Sequence, residues 1–189
     1  MAQNKDTALQ EHLGQIPNEQ LTPREIALTN PSSETIVSVS GKLDKVFDLT
    51  HPDSLIPFIN LIKNFKLSKE LKAATKKLKL QNSKIIKTPE ALLENFLDPS
   101  WRASPSQYDI PANSQILGHL VYSAGIEGIL YPSKFTGQLC LVVYPKNFVN
   151  TDSFIMLDDE PPHEKVPIKI DGSNWRLSDL EASEIMVPT

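Results

Sequence analysis

Two apolar runs separated by a short polar turn constrain the fold more than any other feature of this chain. The first run covers residues 129–131 and the second covers 139–144. Both suit β-strands, and Pro132 cannot donate to a sheet ladder, so we expect the first strand to stop there. Gly125 can adopt the left-handed conformation that ends a helix. The pattern predicts a helix end followed by two adjacent strands, with the hydroxyl of Ser133 displayed where the first strand ends.

The rest of the chain predicts short elements separated by loops. Thr88 followed by Pro89 is typical of a helix start, because the threonine caps the helix and proline suits its first position. Alternating apolar and polar residues over 35–40 indicate a half-buried strand, which Gly41 is expected to end. We also expect helices at 7–13, 55–62, 88–97 and 113–124, and helical structure within 63–87. Strands are expected at 154–157 and 166–170, and a short apolar segment at 43–49. A loop is expected over 101–112 and a helical turn at 178–184.

Length and composition favour one soluble domain. The chain has 189 residues, of which 40% are hydrophobic and 22% are charged. Such a chain can build one core, whereas two full domains would be cramped, so we expect a single domain over 1–189. The net charge of -4 argues against direct binding of nucleic acid. The polar N-terminus lacks a signal-peptide core, and no apolar run is long enough to span a bilayer, so we expect no membrane association.

Histidine and cysteine spacing argues against a metal site. The four histidines, at positions 12, 51, 119 and 163, do not pair at metal-ligand spacings, and one cysteine cannot build a zinc cluster. Cys140 lies within an apolar run and is expected to be a buried, inert thiol. The acidic run 158–160 is interpreted as an exposed loop. We therefore predict no metal.

A nucleophilic serine is a weaker alternative. Ser133 lacks the flanking glycines of a hydrolase elbow. A Ser-His-Asp triad assembled in space stays open, because its members need not be neighbours in sequence. Phosphate-loop and dinucleotide fingerprints are absent.

Several segments together resemble the RES-domain family, which is named for its arginine, glutamate and serine. The resemblance covers residues 7–144 and leaves 145–189 as C-terminal strands and a tail. Its segments, in chain order, are TALQE at 7–11, LDKVFDLT at 43–50, Trp101-Arg102, Ser114-Gln115, GIEGILYPS at 125–133 and GQLCLVVY at 137–144.

The resemblance implies a fold and a function. The implied fold is α+β, a split β-sheet with flanking helices that is similar to ADP-ribosyltransferase toxins and holds NAD in a cleft. The implied function is that of a cytoplasmic toxin in a bacterial toxin–antitoxin pair. Such a toxin consumes NAD by releasing nicotinamide, as a glycohydrolase or phosphorylase, or by ADP-ribosylating a target. The implied partners are an Xre-type helix-turn-helix antitoxin and NAD as substrate. A homo-oligomer is a further expectation, because a second copy can cover the sheet edge that missing upstream strands would leave open.

The resemblance also assigns candidate site residues. It makes Glu11 and Ser133 the catalytic pair, with the carboxylate stabilising positive charge on the ribose. It makes Arg102, Gln115 and Tyr131 the NAD-binding residues, with the arginine at the pyrophosphate. Gln115 has a second interpretation, as a hydrogen-bonding residue at a helix start, and we favour that one.

One part of the family pattern is missing from this sequence. The family arginine precedes the glutamate, but the ten residues before Glu11 contain no arginine. Arg24 follows Glu11 in a proline-rich stretch and does not inherit the role. We expect that the chain is a shortened member, that Met1 is not the native start, or that activity is lost. The second hypothesis is accordingly an impaired RES-like domain that binds a partner or a nucleotide without turnover.

Overall fold

The structure is a computed structural model that describes residues 1–13, 35–66, 68–77, 86–98 and 112–176. It combines α-helices with two three-stranded β-sheets, which confirms the predicted α+β class. The chain forms two compact units, Met1–Phe47 with Ile116–Thr189, and Asp48–Gln115. The single domain over 1–189 and the ADP-ribosyltransferase-like arrangement both stay predictions.

The elements follow one another in an irregular α/β order. The described α-helices are α1 (Lys5–Leu13), α2 (Ile56–Ile62), α3 (Lys69–Lys77), α4 (Pro89–Phe96) and α5 (Asn113–Ser123). The strands are β1 (Val39–Lys42), β2 (Val46–Asp48), β3 (Gly128–Pro132), β4 (Leu139–Val143), β5 (Phe154–Leu157) and β6 (Lys169–Asp171), with short 3-10 helices at Pro52–Leu55 and Pro145–Phe148.

The first unit contains an antiparallel hairpin made by the two predicted apolar runs. β3 pairs with β4 from Gly128 opposite Val143 to Pro132 opposite Leu139. The first strand ends at Pro132, which confirms the prediction. In this sheet the strand order is β2-β3-β4, and in the second sheet it is β1-β5-β6. The strand expected at 166–170 begins only at Lys169 and lies at a sheet edge, where the neighbouring Pro167 is tolerated.

Helix α5 ends as the sequence predicts. Gly125 has φ +73, in the left-handed region that favours glycine. Its N–H donates to the carbonyl of Tyr122 at 3.1 Å, and the N–H of Ile126 donates to the carbonyl of Val121 at 3.3 Å. These two bonds form a Schellman motif, which satisfies carbonyls that the helix end would otherwise leave unpaired.

The second unit is helical in its described part. Its described core contains the buried residues Leu49, Leu55, Ile59, Leu92 and Ala112. Thr88 caps α4, since its hydroxyl accepts the N–H of Ala91 at 3.3 Å, and this confirms the predicted helix start. The expected loop over 101–111, the end of the lysine-rich stretch at 78–85 and the turn at 178–184 lie outside the described residues.

Strand β1 is shifted along the chain from the predicted position. It begins at Val39 rather than at residue 35, and Gly41 lies inside the strand instead of ending it. The physical reason is the pairing of β1 with β5, which sets Gly41 opposite Ile155. A Cβ at Gly41 would overlap the carbonyl oxygen of Phe154, so the strand needs glycine at this position.

Gly41→Ala tests this close approach. We expect a loss of roughly 1–3 kcal/mol in the free energy of unfolding, because either β1 or β5 must move to make room. The measurement is chemical denaturation beside Ser40→Ala, which changes an exposed neighbour in the same strand. Equal stability of the two variants would show that the pairing tolerates a side chain.

Candidate functional site

Helix α1 is fastened to the hairpin turn through a buried threonine. The Asn4 side chain accepts the N–H of Thr7 at 2.9 Å and so caps the helix, which begins two residues earlier than predicted. Thr7 is 1% exposed, and its hydroxyl lies 3.0 Å from that of Thr136 in the β3–β4 turn. Glu11 follows Thr7 by one helical turn, so both side chains lie on the same face of α1.

Ser133 organises the turn that Thr136 belongs to. It is 3% exposed, and its Oγ accepts the N–H of Phe135 at 3.2 Å and the N–H of Thr136 at 3.3 Å. Its own backbone pairs with Gln138 and Gly137, which closes the turn. The hydroxyl oxygen is thus a hydrogen-bond acceptor within the turn, and the hydroxyl can still donate one hydrogen bond.

The neighbouring pair of the ladder, Tyr131 opposite Cys140, connects the turn with Glu11. Cys140 is 1% exposed, which confirms its predicted burial. Burial raises the pKa of this thiol, the charge of Glu11 raises it further, and a hydrogen bond with Tyr131 opposes both. Glu11 therefore lies within electrostatic range of Cys140. The structure brings Glu11, Tyr131 and Ser133 to the same end of the hairpin in the first unit.

The other two candidate residues are Gln115 and Arg102. Gln115 belongs to the second unit, where its Oε1 accepts the N–H of Ala112 at 2.8 Å. That bond is one of the two hydrogen bonds of a capping box, the one from the third helical residue back to the cap residue. It agrees with the helix-start interpretation favoured for Gln115. Arg102 lies outside the described residues, so its role at the pyrophosphate stays a prediction.

The most deeply buried acid of the described residues is not among the predicted site residues. Glu127 is 0% exposed and precedes β3. Its Oε2 accepts the N–H of Asp44 at 2.6 Å, the N–H of Lys45 at 3.0 Å and the hydroxyl of Ser153 at 2.8 Å. The sequence signal for this role is a single carboxylate between apolar residues. Such a charge is buried only when hydrogen-bond donors surround it.

The donors around Glu127 lie in connections next to strands of the two sheets. Asp44 and Lys45 link β1 to β2, while Ser153 immediately precedes β5. Backbone bonds reinforce the junction, since Glu127 N–H donates to the Lys45 carbonyl at 2.9 Å and Tyr144 N–H donates to the Glu127 carbonyl at 2.7 Å. One residue thus connects the two sheets of the first unit.

Hydrogen bonding outweighs burial in setting the charge of Glu127. Burial alone would raise its pKa, but the bonds from the Lys45 N–H and the Ser153 hydroxyl outweigh that effect and leave the pKa below its ordinary value. The second oxygen, Oε1, has no hydrogen-bond partner among the described residues. The carboxylate is therefore a buried anion that is held through one oxygen.

The described residues show no cluster of three or more histidine, cysteine or acidic side chains able to hold a metal ion. Within the same part of the chain, no helix combines the length and apolar character needed to cross a membrane.

Comparison with known proteins adds no assignment. No protein-family model, curated protein or solved structure matches this chain. The resemblance to the RES-domain family therefore stays an interpretation of the residues themselves.

Replacing Glu127 tests the junction between the sheets. Glu127→Ala leaves the Lys45 amide and the Ser153 hydroxyl without their acceptor, whereas the Asp44 amide keeps Ser153 Oγ at 3.1 Å. Each buried group that loses its partner costs roughly 1–3 kcal/mol. Glu127→Gln keeps an acceptor oxygen and is expected to lose less. Chemical denaturation at neutral pH measures both losses, and the ranking is wrong if Glu127→Gln is the less stable variant.

Acid should reduce the advantage of the wild type over Glu127→Gln. The folded pKa of Glu127 is lowered, so its contribution is complete above the unfolded pKa, near 4.3, and is lost as pH falls through the folded value. Asp48 and Asp171 have lowered pKa values in both proteins, so the difference between the two isolates Glu127. A stability difference that stays constant from pH 7 to pH 3 would contradict this linkage.

Ser133→Ala separates the structural role of this serine from any role in chemistry. Losing the acceptor for two turn amides should lower the free energy of unfolding by about 0.5–2 kcal/mol. Ser173→Ala is the control, because Ser173 is exposed and its hydroxyl donates to Asp171 at 2.6 Å instead of accepting turn amides. Equal loss in both variants would mean that the Ser133 bonds add nothing specific.

Proposed function

We propose that this chain is an NAD-consuming protein of the RES type, with Glu11 and Ser133 in one ligand-binding neighbourhood. The observation that carries the proposal is the Thr7–Thr136 hydrogen bond, which joins the helix of Glu11 to the turn that begins at Ser133. Residues 122 positions apart in sequence are thereby held at one end of the hairpin. The neighbouring Tyr131 supplies an aromatic ring at the same end.

In the proposed reaction, the bond between nicotinamide and ribose breaks and its electron pair leaves with nicotinamide. Positive charge then develops at the anomeric carbon, and a carboxylate beside it lowers the barrier. Glu11 supplies that carboxylate. Water, phosphate or a side chain of a target protein adds to the same carbon, which gives hydrolysis, phosphorolysis or ADP-ribosylation respectively.

The remaining predicted residues have supporting roles in this proposal. The Ser133 hydroxyl donates a hydrogen bond to the nicotinamide or ribose side of the ligand, and Tyr131 contacts the same end. Arg102 meets the pyrophosphate, where a guanidinium can form paired hydrogen bonds. Gln115 holds a helix start. The proposed setting is the bacterial cytoplasm, with an Xre-type helix-turn-helix antitoxin as partner.

A second function is favoured by the state of Ser133. The side chain is buried and its oxygen is already engaged by two turn amides. Both facts fit a domain that binds a nucleotide or a partner without turning NAD over. In this alternative, Glu11 has no catalytic role and contributes only its negative charge to binding.

Nicotinamide release from NAD by the purified protein distinguishes the two functions. We expect turnover by the wild type and a loss of about 10²–10³ in rate for Glu11→Gln, as for other groups that stabilise developing charge. Glu164→Gln, at an exposed position in the same unit, is the matched control and should keep full activity.

Calorimetric titration with NAD completes the experiment. Binding without turnover would establish the second function, and equal rates for Glu11→Gln and the wild type would remove Glu11 from the mechanism. Neither binding nor turnover would exclude both. Labelling by a serine-reactive phosphonate would instead indicate the hydrolase alternative at Ser133.

A further inference from the structure

The outer edge of β4 can be identified from its hydrogen bonds. On the β3 side, Gln138 accepts the N–H of Ser133 and Tyr144 donates to Glu127. Since backbone groups alternate along a strand, the even-numbered residues face β3 and the odd-numbered ones face outward. Leu139 and Leu141 therefore present their N–H and C=O groups to the outer edge.

Residues 1–3 satisfy all four of those groups. The main-chain nitrogen of Met1 donates to the Leu141 carbonyl at 2.9 Å, and the Leu141 N–H donates to the Met1 carbonyl at 2.9 Å. The Gln3 N–H donates to the Leu139 carbonyl at 2.9 Å, and the Leu139 N–H donates to Gln3 Oε1 at 3.1 Å. Ala2 forms an antiparallel bridge with Cys140 between them. This segment adds a short strand to the sheet.

The edge beneath this segment has the composition of an association site. β4 reads Leu-Cys-Leu-Val-Val, with no charge, proline or glycine. Edges of this kind pair readily with other strands unless they are covered. The second sheet protects its edges differently, because β1 ends in Lys42 and β6 begins with Lys169 beside Pro167.

We propose that Met1–Gln3 is a protective strand that closes the β4 edge against β4 of a second copy of this chain. An antiparallel edge is self-complementary about a two-fold axis, since Leu141 on the axis can exchange both bonds with its equivalent, while Leu139 of one copy meets Val143 of the other. The absence of charge removes the repulsion that would oppose such pairing. The covering contacts are mostly main-chain bonds, so a second strand offers the same groups.

Weakening the segment tests the proposal. Gln3→Pro removes both Gln3 contacts with Leu139, and deletion of Ala2 and Gln3 removes those contacts together with the Ala2 bridge to Cys140. Analytical ultracentrifugation at equal concentrations compares both variants with the wild type. We expect the dissociation constant for self-association to fall by about tenfold or more in each variant.

Leu141→Pro is the companion variant, because it removes an outward N–H without removing a bond to β3. Added to either weakened segment, it should return self-association to the wild-type level. The proposal is overturned if neither weakened variant associates more strongly than the wild type. It is also overturned if association persists unchanged with Leu141→Pro, because a different surface would then be responsible.

Discussion

The buried carboxylate of Glu127 is the interaction on which the first unit depends. Its Oε2 accepts the Asp44 and Lys45 amides, which lie in the connection between the two sheets, and the Ser153 hydroxyl, which lies just before β5. A buried anion is stable only while such donors face it, so the charge and the loop geometry require each other.

The β3–β4 hairpin connects Glu127 with the candidate site. Glu127 lies at one end of β3, and the turn beginning with Ser133 lies at the other. Thr7 fastens α1 to this turn, and Met1–Gln3 covers the neighbouring edge of β4. The positions of the Glu11 carboxylate and of the covering strand therefore both derive from the hairpin. A single rigid element thus connects the sheet junction, the proposed ligand site and the proposed association edge.

Ser133 shows how a side chain can resemble a functional residue for structural reasons. A serine after a Pro-terminated strand suggests display to a ligand, but its oxygen closes the turn instead. These hydrogen bonds join residues no more than three positions apart, and the turn preference of serine already reflects such local bonds. Burial to 3% exposure, in contrast, comes from the elements packed around the turn. The sequence thus identified an informative position, and its principal observed role is to shape the turn.

Local signals in the sequence were sufficient wherever a few neighbouring residues decide the outcome. The Thr88 cap, the Gly125 helix end and the two runs of the hairpin all depend on backbone preferences within one turn, and each is observed. The tertiary structure alone decided the extent of β1 and the role of Glu127. Gly41 belongs to a strand because β5 pairs with it, and Glu127 is an anion because loops more than 25 and more than 80 residues away supply its donors. Neither effect is visible in a short window, since partners distant along the chain meet only after folding.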